Sequence, residues 1–201
     1  MPAADKACHE PIQKTSGDDR WAPLLEACFA DFTEAVEDGD AARTTPLVTA
    51  LAELALIESA IITPGSRRGQ QALRVGRLSL ARRLIARHLS QPTLSPAMVA
   101  GLLGVSVRHM HMLFEGTGQS FSQTVTAQRI RLSGQLLREA PRRPIAAVAH
   151  ASGFDSLATF YRTFQAATGM TPGDFRARGG QSGPAGPLPS DHGASTHLTA
   201  K

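Results

Sequence analysis

The chain has 201 residues and a formal net charge of +4, which bounds it at one or two small domains. Its two cysteines, Cys8 and Cys28, exclude a disulfide framework and leave no zinc spacing, in keeping with a reducing cytoplasm. The charge is divided: residues 1–64 hold 4 basic and 12 acidic side chains, whereas residues 65–178 hold 16 arginines, no lysine and 4 acids. A basic module suited to phosphates therefore stands beside an acidic one suited to protein contact.

Residues 1–19 are polar, contain Pro2 and Pro11, and read as disordered. Asp5, Lys6, His9 and Glu10 occupy the place where a signal peptide would need an apolar run. Residues 20–64 read as a helical hairpin. Its first helix, Trp21 to Val36, carries the stripe Leu24, Leu25, Cys28, Phe29, Phe32 and Val36. Glu37-Asp38-Gly39-Asp40 stops it, and a second helix runs from Pro46 to Ile62 with Leu47, Leu51, Leu54, Ile57 and Ile61 on one face. Glu53 and Glu58 break the apolar run from Leu47 to Ile62, which falls short of the roughly 18 residues of a membrane span. Two helices this apolar cannot cover one another, since a unit of this size is below the length that usually folds alone. A homodimer through residues 21–62 is the expected cover; packing on the basic part of the same chain is the alternative.

Thr63-Pro64-Gly65-Ser66 reads as a linker, and a helix from Gln71 to Leu89 follows, with Leu78, Leu84, Ile85 and Leu89 inward. Ser95 then caps a short helix that has Pro96 in its first position and Val99, Leu102 and Leu103 on its apolar face. Gly104 permits the left-handed backbone of a tight turn. Ser106 caps the next helix, in which Val107, Met110, Leu113 and Phe114 face inward and Arg108, His111, Met112 and Glu115 outward. This is the pattern of a helix-turn-helix, whose second helix enters the DNA major groove. A long helix from Ser120 to Glu139 comes next, packing through Val125, Ile130, Leu132, Leu136 and Leu137, with Gly134 placed for a close helix approach.

The pattern then repeats between Pro144 and Gly169. Val99-Ala100 matches Val148-Ala149 and Gly104 matches Gly153 at an offset of 49; Met110 matches Phe160 and Phe114 matches Phe164 at an offset of 50. Asp155 is the expected cap of the second recognition helix and Phe154 a core wedge under the turn. Thr171 caps a last helix beginning with Pro172, from which Phe175 packs back. Residues 179–201 have the composition of a disordered tail. The fold class is all-α: two helix-turn-helix subdomains joined by a long helix, preceded by the hairpin. The long helix spans about 30 Å, near the roughly 34 Å between successive major-groove faces.

Two stretches, Gly153-Phe154-x-Ser156-x-x-x-Phe160-x-Arg162-x-Phe164 and Gly169-Met170-Thr171-Pro172-x-x-Phe175-Arg176, resemble the AraC/XylS family of bacterial transcription regulators. The first copy, L-S-P-x-x-V-A-x-x-L-G-V-S-x-R-x-M-H-x-L-F, matches it nearly as well. The resemblance covers Leu73 to Arg178 and implies a DNA-binding domain over residues 71–178 that reads a bipartite site as a regulator of transcription, such as an activator, in the bacterial cytoplasm at the nucleoid. Many members of that family also carry a β-barrel sensor. No run of alternating strands is present here, so no small-molecule effector is expected, and whether the short N-terminus is natural or a truncated reading frame stays open.

The positions matching the family's base readers are Arg108, His111 and Met112 in the first recognition helix, and Leu157, Ala158, Tyr161 and Arg162 in the second. Arg108 and Arg162 suit guanine, His111 can donate to a base acceptor, and Met112, Leu157 and Ala158 offer only apolar contact. Ser106, Ser156 and Thr159 complete the expected DNA-binding set, the last two toward phosphate. No catalytic, cofactor or metal pattern is present, and an enzyme is not expected. Activation would add RNA polymerase as a partner, at a surface the sequence does not locate. Two rival readings are a protein-interaction regulator that pairs with a full-length family member and a DNA-repair alkyl acceptor, which would need zinc-bound thiolates or an activated cysteine.

Overall fold

A computed structural model describes residues 20–179, and every regular element among them is a helix. The two expected disordered ends therefore lie outside the described residues, apart from Gly179. The chain divides into two compact units whose boundary, Leu80–Ala81, falls within a helix.

The first unit contains α1 (Ala22–Glu37), α2 (Ala41–Glu58) and the start of α3 (Arg67–Arg87). Helix α1 buries Leu24, Ala27, Cys28, Asp31 and Ala35. The expected stripe is thus displaced: Phe29 and Val36 are 62% and 53% exposed. Leu24 and Cys28 of that stripe are buried, with Ala27 and Ala35 buried beside them.

Helix α2 starts five residues earlier than Pro46, because Asp40 caps it by accepting from the Arg43 N–H at 3.1 Å. Pro46 lies inside, at a site where proline costs about 3 kcal/mol. The surrounding turn is held by hydroxyls: Thr44 Oγ1 donates to the Asp40 carbonyl at 2.8 Å and Thr45 Oγ1 to the Ala41 carbonyl at 3.4 Å. The helix also stops earlier. Ala60 takes φ +57°, the Ile61 N–H bonds back to the Leu56 carbonyl at 2.9 Å, and Ile61 is left exposed.

Helix α3 packs on the hairpin from within the same chain, the alternative the sequence left open. Ala72 and Leu73 join Leu24, Cys28, Leu47, Leu54 and Ile57 in one core, so the unit is a three-helix arrangement. Its two buried acids are partnered across helices. Asp31 accepts from Ser79 Oγ at 2.8 Å and lies 3.6 Å from an Arg43 guanidinium nitrogen. Glu53 accepts from Arg68 Nε at 2.9 Å.

The second unit runs from Ala81 through α4 (Pro96–Leu103), α5 (Val107–Glu115), α6 (Phe121–Glu139), α7 (Ile145–Ala151), α8 (Leu157–Thr168) and α9 (Pro172–Ala177). Helix α6 has 19 residues, a length of about 28 Å. A capping box starts it: Ser120 Oγ accepts from the Gln123 N–H at 3.2 Å, and Gln123 Oε1 accepts from the Ser120 N–H at 2.8 Å. Helices α7, α8 and α9 pack on it around Ile130, Leu137, Val148, Phe154, Phe160, Phe164 and Phe175. Ring centroids 5.2–5.5 Å apart join Phe154 to Phe160, Phe160 to Phe164, and Phe164 to Phe175, a spacing at which tilted aromatic pairs attract. Gly134 does admit a close neighbour: a Cβ there would meet the Phe175 ring at 3.5 Å.

Candidate nucleic-acid interface

The first helix-turn-helix is built by two caps and one turn. Ser95 Oγ accepts from the Met98 N–H at 3.3 Å, and Pro96 fills the first helical position. Gly104 takes φ +65° and ends α4. Ser106 Oγ then accepts from the His109 N–H at 3.2 Å and starts α5. Met110, Leu113 and Phe114 are buried, and Phe114 meets Phe121 edge-on at 5.7 Å. Arg108, His111, Met112 and Glu115 are exposed on the opposite side, as the spacing predicts. Two inward assignments fail: Leu102 is 53% and Val107 42% exposed. Both helices are short and each has room to bury only a narrow stripe, so these end residues reach solvent.

The second copy differs at its turn. Ser156, not Asp155, is the cap: its Oγ accepts from the Thr159 N–H at 3.4 Å, and Asp155 is exposed one residue earlier. The extra residue of this copy therefore lies between Gly153 and the cap, which aligns Ser106 with Ser156. Phe160 and Phe164 are fully buried and Phe154 is packed beneath the turn. Leu157, Ala158, Thr159 and Arg162 are exposed, whereas Tyr161 is half-buried with its ring edge-on to Phe160 at 6.0 Å. The structure thus groups Ser106, Arg108, His111 and Met112 on α5, and Ser156, Leu157, Ala158, Thr159 and Arg162 on α8, with Tyr161 at the margin. The two serine hydroxyls are engaged as caps.

A comparison with protein-family models matches residues 99–178 to a helix-turn-helix domain. The chain carries a helix-turn-helix domain over these residues. Over 83 residues it is 40% identical to the HTH-type transcriptional regulator GlxA of Rhizobium meliloti (strain 1021), a match covering 41% of this chain and 25% of that protein. The chain thus spans about a quarter of the curated relative it matches. Among solved structures, the C-terminal domain of AraT, a response regulator from Geobacillus stearothermophilus, is 27% identical with a TM-score of 0.48, covering 60% of this chain and 96% of that one. A DNA-binding transcriptional dual regulator from Escherichia coli K-12 is 24% identical with a TM-score of 0.48, covering 51% and 96%. The matched stretch corresponds to part of a protein named as a transcriptional regulator.

Cys28 has the chemistry of a core residue. It is fully buried, and its thiol is pushed up to about 11, chiefly by burial, with the Asp31 charge adding to the rise and the Ser79 hydrogen bond opposing it. A nucleophilic cysteine needs the reverse shift. Cys8 lies outside the described residues. No single helix among those described is long and apolar enough to cross a membrane.

One residue that organises the second unit escapes the sequence reading. Arg129, on α6, donates from Nε to the Leu89 carbonyl at 3.2 Å and from Nη2 to the Gln91 carbonyl at 2.8 Å. Its guanidinium also lies 6.0 Å from the centre of the Phe154 ring. The available signal was its place beside Ile130, inside the packing stretch of α6, where a charged side chain needs a partner.

Proposed function

We propose that this chain is a sequence-specific transcription regulator, with residues 71–178 binding DNA by laying α5 and α8 into successive major-groove faces of one duplex. The observation that carries this is the repeated construction. Each recognition helix is fixed from below by buried side chains, Met110, Leu113 and Phe114 in one and Phe160 and Phe164 in the other, and each presents an exposed polar and cationic face. Arg108 and Arg162 are the proposed base readers. His111 and Tyr161 add polar contacts, and Met112, Leu157 and Ala158 add apolar ones. Thr159 is assigned to phosphate. The basic balance of residues 65–178 supplies the sequence-independent attraction. Such a protein acts at the nucleoid, in the bacterial cytoplasm.

The test is selection of bound sequences from a random DNA pool by the full chain, followed by titration at two salt concentrations. Enrichment of a site with two conserved tracts, and affinity falling steeply with salt, are expected. An unenriched pool, or affinity indifferent to salt, overturns the reading.

Self-association through residues 21–62 belongs to the same proposal. It rests on the exposed Phe29, Val36, Val48 and Ile61 rather than on Leu54, which is fully buried in its own unit. Sedimentation at tens of micromolar decides it: a dimer lost in Phe29→Glu supports the contact, and a monomeric unmutated chain removes it.

A further inference from the structure

The segment that leads into the first helix-turn-helix copy and the turn of the second meet at Arg129. Leu89 and Gln91 belong to the segment that leads into α4, and Gly153 and Phe154 form the turn that leads into α8. Arg129 touches both. Its Nε and Nη2 hold two successive-but-one carbonyls of the first segment, at 3.2 and 2.8 Å, and its guanidinium lies against the Phe154 ring of the second. The junction is closed so tightly that a Cβ on Gly153 would collide with the Leu89 carbonyl oxygen and come within 2.8 Å of Arg129 Nε. Burial lowers the Arg129 pKa, and the Asp155 charge, from the same turn, opposes that.

We propose that Arg129 is a positioning residue that sets the phase between the two recognition helices and so determines the spacing between the two tracts the protein accepts. This rests on the bipartite reading proposed above. A planar fork with several fixed donors holds two backbone carbonyls in one geometry, which a single flexible amine does not. Neither Arg129 nor its partners need touch a base. An inserted base pair moves the far tract by about 3.4 Å and turns it by about 35°. A rigid junction cannot follow that displacement, whereas a loosened one can.

The experiment compares the full chain with Arg129→Gln on its selected site and on versions carrying one base pair more or fewer between the tracts. The unmutated chain should lose roughly tenfold or more per spacing change, as for a mismatched contact, and the variant no more than about threefold, with base preferences inside each tract unchanged. A variant that keeps the full spacing penalty overturns the proposal while leaving the bipartite reading intact. A selection that yields no two-tract site removes the bipartite reading instead, and a DNA-free measurement then decides the role of Arg129. Spin labels at the exposed positions Glu115 and Gln165, introduced as cysteines with Cys8→Ser, report the distance between α5 and α8; Cys28 is buried and takes no label. Arg129→Gln should broaden that distance distribution, and an unchanged distribution overturns the proposal. If Arg129→Gln does not fold, Arg129→Lys, which keeps the charge and loses the fork, enters both measurements with the same expected and overturning results.

Discussion

The two turn glycines make a matched pair for testing what the junction contributes. Gly104 and Gly153 hold equivalent places in the two copies and both have positive φ, +65° and +87°. An alanine at either should cost about 1–2 kcal/mol from the left-handed backbone alone. At Gly104 nothing lies within 4 Å of the added Cβ, so the cost should stop there. At Gly153 the Cβ runs into the Leu89 carbonyl oxygen. That atom is backbone and also accepts from Arg129 Nε, so it cannot turn aside without disturbing a bond to a charged donor, worth about 1.5–3 kcal/mol. Gly153→Ala should therefore destabilise by about 2.5–5 kcal/mol, about 1.5–3 kcal/mol beyond Gly104→Ala. Urea titrations of the three proteins by far-UV circular dichroism measure this, provided the slopes agree so that midpoints report stability. Equal losses at the two glycines would refute the reasoning, since the contact at Gly153 would then be carrying no energy.

Three other outcomes are expected. Arg162→Ala should cost about 1–3 kcal/mol at one or two positions of one tract and leave the other tract's preference untouched, whereas an even loss over all single-base variants of the site would make Arg162 a phosphate anchor. Ser120→Ala removes one half of the α6 capping box and should lower stability by about 1 kcal/mol in a thermal or urea melt; a neutral result would mean the helix start is held by packing alone. For Cys28 the folded thiol keeps its proton up to about 11, above the 9.0 of an ordinary thiol. The stability from burying the neutral thiol is thus fully present below pH 9 and eroded as pH rises toward 11. Cys28→Ala should flatten the part of the stability-versus-pH curve above pH 9, and an identical curve for both proteins would assign the alkaline loss to other groups.

Much of the helix-turn-helix part is legible because its punctuation is local. Ser95, Pro96, Gly104, Ser106, Ser120 and Thr171 each act within one turn of chain, and all six occupy the places their types predict. Misreadings occur where a distant partner decides. Asp155 and Ser156 are both good caps by type, and it is Ser156 that starts α8. The α1 stripe reads from its bulky side chains, whereas Ala27, Asp31 and Ala35 are buried and Phe29 and Val36 are not. Pro46 read as a helix start, although Asp40 and the hydroxyls of Thr44 and Thr45 sustain a turn ahead of it. The partners of Arg129 are not legible, because Leu89 and Gln91 offer carbonyls about forty residues away, and a carbonyl leaves no mark in a sequence. The candidate readers were simpler to find: exposure on a helix whose buried face is known follows from its period.

The cap alignment of Ser106 with Ser156 has a consequence for how the protein would sit on DNA. Counting from those caps, Arg108 falls opposite Ala158, His111 opposite Tyr161, and Met112 opposite Arg162. The single arginine of each reader is therefore near the beginning of one helix and in the second turn of the other. A tandem pair of identical readers could slide along the duplex by one turn and still find one helix on a tract made for its twin. Here a slide of one turn would put Ala158 where Arg108 belongs, and neither half would find its match. Under the bipartite reading proposed above, divergence between the copies would act as a key against misregistration, holding the protein to one address where duplication alone would have permitted two.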